Sequence, residues 1–132
     1  MPLPKLLSTW SVPMRLVLAV EVPVVFGALC GVMLGISEPV YLVLSLLGVL
    51  GGFAAGLEHV GAREGALRGL NGGFLFGGSI LLAHEILGKE AKAELPEPAI
   101  LLVVITTVLG VGLGALGGRT RAKREAAPPA AA

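Results

Sequence analysis

Four long apolar stretches, separated by short polar segments, dominate the pattern along the chain. They cover about residues 16–36, 39–57, 66–87 and 98–118. A transmembrane helix needs about 20 mostly apolar residues to cross about 30 Å of hydrocarbon. The second and fourth stretches contain no charged side chain. The pattern therefore predicts an all-α integral membrane protein, a bundle of four transmembrane helices.

The first and third stretches are less uniform than the other two. The first contains Glu21 and Pro23, and the third contains Arg68, His84 and Glu85 near its ends. A re-entrant third segment that does not cross fully is therefore an alternative. The first stretch is long and polar for a cleaved secretory signal, so an uncleaved helix is expected there.

Composition agrees with a membrane protein of one domain. The chain has 132 residues, of which 55% are hydrophobic and 14% charged, and its mean hydropathy is +0.87. In soluble domains about a quarter of the residues carry charge. Residues 1–124 are interpreted as a single transmembrane domain. Residues 125–132, rich in Ala and Pro, are predicted to form a disordered cytoplasmic tail.

The basic residues predict the orientation of the bundle. Of the 10 Lys and Arg residues, only Lys89 and Lys92 fall on the side opposite the termini. The positive-inside rule then places both termini in the cytoplasm, in a multi-pass protein of a bacterial-type inner (plasma) membrane. The basic residues after the fourth stretch either anchor this topology or hold anionic lipid head groups: Arg119, Arg121, Lys123 and Arg124.

Of the 20 glycines, 14 recur at intervals of four residues, which aligns them along one face of each helix. In a membrane such glycine-zipper faces let helix backbones approach closely. We predict a glycine-packed bundle, and we expect some rows to face a second copy, in a homo-oligomer, or a larger membrane protein. The predicted packing glycines are Gly27, Gly31, Gly35, Gly48, Gly52, Gly56, Gly65, Gly69, Gly73, Gly77, Gly110 and Gly114.

Three polar side chains are expected at a similar depth near the cytoplasmic side: Glu21, Arg68 and Asn71. Pro23 removes the backbone hydrogen bond to the Ala19 carbonyl and is expected to kink the first helix. A carboxylate at that depth should be paired, protonated or facing water, and Arg68 is its expected partner. The three groups are candidates for a polar transport path. The alternatives are a structural ion pair, or an Arg68 side chain that extends to the head groups.

Catalytic and cofactor-binding patterns are not found in the sequence. Cys30 is the only cysteine, which excludes an intrachain disulfide and a Cys-based zinc site. His59 and His84 are predicted on opposite sides of the membrane, so they do not form one metal site. We expect no enzyme activity, no cofactor, no metal and no nucleic-acid partner; the expected surroundings are the lipid bilayer.

Two functions are compatible with these observations. The first is an oligomeric channel or transporter for a small ion or solute, with Glu21, Arg68 and Asn71 along its path. The alternative is a non-catalytic scaffold or accessory subunit, whose glycine-rich helix faces bind a larger membrane protein.

Overall fold

The computed structural model describes residues 3–127, and within that range all regular structure is helical. A short helical turn, Leu7–Thr9, precedes four long helices. These are α1 (Val12–Leu34), α2 (Glu38–Gly56), α3 (Ala62–Leu87) and α4 (Leu101–Ala126). Each is long and apolar enough to cross a membrane, which confirms the predicted number of apolar helices.

Several helix boundaries differ from the predicted ones. The first and third helices begin four residues earlier than predicted, and α4 begins three residues later, at Leu101. Because α4 continues to Ala126, Glu125 and Ala126 are helical although the sequence predicts them in a disordered tail. Residues 128–132 of that tail lie outside the described range. With 26 residues, α3 is about 39 Å long at 1.5 Å per residue, which is long enough to cross a membrane.

Helix α3 lies between α1 and α4, and its contact with α4 is the most extensive in the bundle. Glycines bring these two backbones together: a Cβ atom on Gly65 would overlap the Gly114 carbonyl, and one on Gly69 would overlap the Gly110 carbonyl. Thr106 adds a hydrogen bond between the helices, from its Oγ1 to the Gly73 carbonyl oxygen at 2.8 Å. The α3–α4 pair is therefore the tightest unit of the fold.

The predicted glycine rows are engaged within the chain. Each of the twelve predicted packing glycines has another part of the chain within 4 Å of a Cβ built on it. Each row has a partner helix or side chain in the same molecule, and the expectation that some rows also face a second copy or a larger membrane protein stays a prediction. Open space is found at Gly51, Gly78 and Gly112 within the helices, and at Gly61 and Gly88 at helix ends.

The apolar core sits toward the end of the bundle opposite the termini. Its buried members come from α1, α2 and α3, and the rings of Phe26 and Phe76 stack with their centroids 6.0 Å apart. The other half of the bundle, nearer to residues 57–61, is less densely filled. The described amino-terminal and carboxyl-terminal residues also lie at that end of the bundle, which we call the basic end. The buried core residues are Cys30, Leu34, Tyr41, Phe76 and Ile80.

Candidate solute-binding cavity

The first helix contains an irregular turn that leaves two carbonyl groups without their usual partners. Residues Val17–Glu21 form a π-helical turn, in which the N–H of Val22 donates to the Val17 carbonyl instead of the Leu18 carbonyl. Pro23 has no N–H to donate. Such turns occur frequently at functional sites in helical proteins. The Leu18 and Ala19 carbonyls must therefore find other donors.

Helix α3 supplies both donors. Arg68 Nη2 donates to the Leu18 carbonyl oxygen at 2.7 Å, and Asn71 Nδ2 donates to the Ala19 carbonyl oxygen at 2.8 Å. Both side chains lie on the α3 face opposite its glycine row, as the helical spacing predicts. One face of α3 thus packs on α4, while the other satisfies the irregular turn of α1.

Arg68 carries more donor capacity than the α1 carbonyl uses. The residue is only 9% exposed, and its Nε atom is 3.9 Å from Oε2 of Glu58. That distance is too long for a hydrogen bond. Among the described residues, Arg68 Nε, Arg68 Nη1 and Glu58 Oε2 are buried polar atoms with no hydrogen-bond partner. Such atoms are costly unless another polar group reaches them.

A cavity of about 330 Å³ is lined by Arg68 and Glu58, the residues that carry these unpaired atoms. Its volume falls at the lower end of the ~300–1,000 Å³ range of small-molecule sites. Val22 of α1 and Leu47 of α2 line it and are also 50% and 53% exposed, so it opens between these two helices onto the outer surface of the bundle. Apart from Glu58, Arg68 and Thr106, every lining residue is glycine, proline or apolar.

The cavity exists because glycines form much of its wall. Gly69, Gly72 and Gly73 of α3 and Gly110 of α4 line it without side chains. The Phe76 ring closes the end away from the basic end. The result is an apolar chamber with one charged pair, Arg68 and Glu58, at its inner wall. This arrangement fits a small molecule with a polar head and an apolar body.

Burial changes the titration of the two residues at the α2–α3 connection. Removal from water raises the pKa of Glu58 above its ordinary 4.5, and the Arg68 guanidinium partly opposes that rise. Burial lowers the pKa of His59 below 6.5; Arg68 lowers it further, and Glu64 raises it. Glu58 therefore takes up a proton at a higher pH than an exposed glutamate does.

The predicted site residues do not assemble as one path. Glu21 lies exposed on the outer surface, and the carboxylate within ion-pair distance of Arg68 is that of Glu58. The expected pairing of Glu21 with Arg68 is therefore wrong: the π-helical turn and Pro23 leave Glu21 on the outside of α1. Arg68 and Pro23 line the cavity, whereas Asn71 serves the backbone of α1.

Glu58 was not among the residues predicted for the site. It follows the last apolar residue of the second stretch, in a short segment with the composition of an ordinary polar loop. The amino-terminal segment contacts its backbone, where the Leu7 N–H donates to the Glu58 carbonyl at 3.0 Å. No pattern in the sequence marks that contact, so Glu58 could not be identified from spacing alone.

Arg121 ties three parts of the basic end together. Its Nη1 donates to the Leu57 carbonyl at 2.7 Å and, in a short bond, to the Pro4 carbonyl. Its Nε donates to Glu125 Oε1 at 2.7 Å. Arg121 thus satisfies the carboxyl end of α2 and holds the amino-terminal segment on the bundle. The sequence does not predict these contacts, and the topology anchor or lipid contact expected of the basic cluster stays a prediction.

No group of three or more His, Cys or Glu side chains within residues 3–127 is placed to hold a metal ion. No protein-family model matches the chain, and no significant match is found among curated proteins or solved structures. The cavity and its charged pair are therefore the features from which a function can be inferred.

Proposed function

We propose that the chain is a multi-pass membrane carrier that binds a small amphiphilic solute in the cavity between α1 and α2. One observation carries this proposal: a buried guanidinium, Arg68, has two nitrogen atoms without partners beside an apolar cavity of about 330 Å³. Apolar pockets with a few polar groups at one end are the usual form of small-molecule sites. A lateral opening would let the solute enter from the lipid.

Close packing favours a carrier over a channel. The α3 and α4 backbones touch along their glycine rows, so the bundle axis has no room for a hydrated ion. The cavity instead reaches the outer surface beside Val22 and Leu47. Movement of α1 relative to α2 would expose the solute without separating α3 from α4. In this proposal the functional unit is a single chain.

Orientation follows from the basic residues. We place both termini in the cytoplasm, because the basic end carries most of the Lys and Arg side chains. The cavity then lies in the cytoplasmic half of an inner or plasma membrane. A solute held there would exchange with the cytoplasmic leaflet.

Filling the cavity tests the proposal. Gly51 lines the cavity and has no atom within 4 Å of a Cβ built on it, so Gly51→Leu is chosen to add side-chain volume there. Gly112 is equally open but does not line the cavity, which makes Gly112→Leu the matched control. Purified wild type and both variants are reconstituted in liposomes, and uptake of benzenesulfonate, benzamide and benzylammonium is compared with protein-free vesicles.

The expected result is uptake of at least one solute by wild type and Gly112→Leu, and a loss of at least about tenfold in Gly51→Leu. Equal uptake by all three proteins would contradict a path through the cavity. No uptake by any protein would contradict the carrier proposal and favour the accessory-subunit alternative.

A further inference from the structure

The charged pair at the inner wall of the cavity is incomplete. Arg68 Nε and Glu58 Oε2 are 3.9 Å apart, and both atoms, together with Arg68 Nη1, are buried without a hydrogen-bond partner. All of them belong to residues that line the same cavity. A well-formed structural ion pair would instead bring these atoms within about 3 Å of each other. The geometry suits a third group that bonds to the guanidinium.

We propose that the cavity takes an amphiphile with a monoanionic head group, which Arg68 binds, and that Glu58 takes up a proton when it binds. This inference rests on the proposed function, because it names the solute class of the same cavity. The solute would be a small organic carboxylate, sulfonate or phosphate monoester anion with an apolar body.

The guanidinium selects the head group. Arg68 Nε and Nη1 have no hydrogen-bond partner, so either atom can donate to an oxygen of a carboxylate or sulfonate. The third nitrogen, Nη2, is already fixed by the Leu18 carbonyl. This bond holds the side chain in place, so little ordering remains when an anion binds.

Electroneutrality requires the proton. With Arg68 charged and Glu58 ionised, the buried pair is neutral, and an added anion would leave one uncompensated negative charge in an apolar chamber. An uncompensated buried charge is strongly unfavourable. Protonation of Glu58 restores neutrality and removes the repulsion between its carboxylate and the anion. The burial that raises the Glu58 pKa acts in the same direction.

Three other cationic side chains at the basic end have partners elsewhere in the chain. Within the described residues, the charged group that acts directly on Glu58 is Arg68, while His59 is subject to Arg68 and Glu64. The Lys5 ammonium lies over the Trp10 ring. Arg15 donates to the Ser8 and Trp10 carbonyls, and Arg121 donates to the Leu57 and Pro4 carbonyls. His59 is thus the group whose titration must be separated from that of Glu58.

The test uses benzenesulfonate, which stays anionic at every pH of interest, so any proton taken up must be on the protein. Its affinity for the full chain in lipid nanodiscs is measured from pH 5 to pH 8, and proton uptake is followed with an indicator dye in weak buffer. Variants are Glu58→Gln, His59→Gln and Arg68→Gln, each first checked for folding in detergent. Benzamide serves as a neutral probe with the same phenyl ring.

For wild type and His59→Gln we expect uptake of one proton per bound anion and an apparent Kd that rises about tenfold per pH unit above the Glu58 pKa. Glu58→Gln should bind without proton uptake and independently of pH. Arg68→Gln should lose at least about tenfold in benzenesulfonate affinity, with a much smaller loss for benzamide.

Other results would overturn the inference in distinguishable ways. Binding of benzenesulfonate without proton uptake, or an unchanged pH profile in Glu58→Gln, would contradict the role of Glu58. Binding of benzamide alone would contradict the anionic head group while leaving the carrier proposal intact. Failure of both probes to bind, together with equal solute uptake in wild type and Gly51→Leu, would contradict the carrier proposal itself.

Discussion

The side-chain amide of Asn71 lies 2.8 Å from the Ala19 carbonyl oxygen, the carbonyl that Pro23 would serve in a regular helix if it had an N–H. Pro23 of α1 thus leaves a backbone carbonyl without its usual donor, and Asn71 of α3 supplies another donor. Arg68 does the same for the neighbouring Leu18 carbonyl. The irregular turn and the polar face of α3 therefore depend on each other.

This dependence predicts a coupled pair of substitutions. Asn71→Leu should lower the free energy of unfolding by about 1 kcal/mol, because hydrogen bonds between membrane helices contribute about 0.6 kcal/mol on average and up to about 1.7. In a Pro23→Ala background, which restores the missing N–H, the same change should cost much less. The measurement is a double-mutant cycle by unfolding in mixed micelles. Equal costs in both backgrounds would show that Asn71 acts independently of Pro23.

The α3–α4 contact predicts opposite effects for two glycines of the same helix. Gly69→Ala should destabilise the fold by about 1–3 kcal/mol, the usual cost of overpacking, because its Cβ would overlap the Gly110 carbonyl. Gly78→Ala, with no atom within 4 Å of the new Cβ, should be neutral or stabilising, since alanine favours helix over glycine. Unfolding of the two variants is compared with that of wild type. Equal stability of both variants would contradict close α3–α4 packing.

The fold was more predictable from the sequence than the site was. Hydropathy gave the four helices, since about 20 apolar residues in a row have few alternatives. The partners of the glycine rows could not be predicted, because a four-residue spacing is the same in every helix and therefore carries no pairing information. Pro23 predicted an Ala19 carbonyl without its usual donor. No feature of the sequence predicted the π-helical turn, which also leaves the Leu18 carbonyl without its usual donor. Glu58 is buried by contacts distant in sequence, which no local pattern records.

Arg121 should hold the amino-terminal segment and the α2–α3 connection together at the basic end. Arg121→Gln removes the bonds to the Leu57 and Pro4 carbonyls, so hydrogen exchange should accelerate in residues 3–11 and 57–61, with little change in α3. Arg119→Gln is the control, because Arg119 is exposed on the same helix and keeps the total charge equal. Exchange is followed by mass spectrometry. Matching exchange patterns in the two variants would contradict this role of Arg121.

The burial of Glu58 predicts how stability depends on pH. Because its pKa is raised in the folded state, its contribution to stability is fully present below the ordinary value of 4.5 and is lost as the pH rises through the folded pKa. His59 acts in the opposite sense: its pKa is lowered, so stability is present above 6.5 and is lost as the pH falls through its folded pKa.

The two effects are separated in a His59→Gln background. There, lowering the pH from 7 toward 5 should stabilise the protein with Glu58 intact, and the additional Glu58→Gln change should flatten that slope. Unfolding in mixed micelles across this pH range provides the measurement. A slope that persists in Glu58→Gln would assign it to another group.

The central claim, that a solute occupies the cavity beside Arg68, is tested most directly by photolabelling in liposomes. A benzenesulfonate that carries a diazirine is irradiated with the protein, and the labelled residues are located by mass spectrometry. We predict labels on cavity-lining residues such as Val22, Leu47 and Ala54, competition by unlabelled benzenesulfonate, and loss of these labels in Gly51→Leu but not in Gly112→Leu. Labels spread over exposed apolar residues remote from the cavity, such as Leu82 and Ile86, and unchanged by Gly51→Leu, would contradict it.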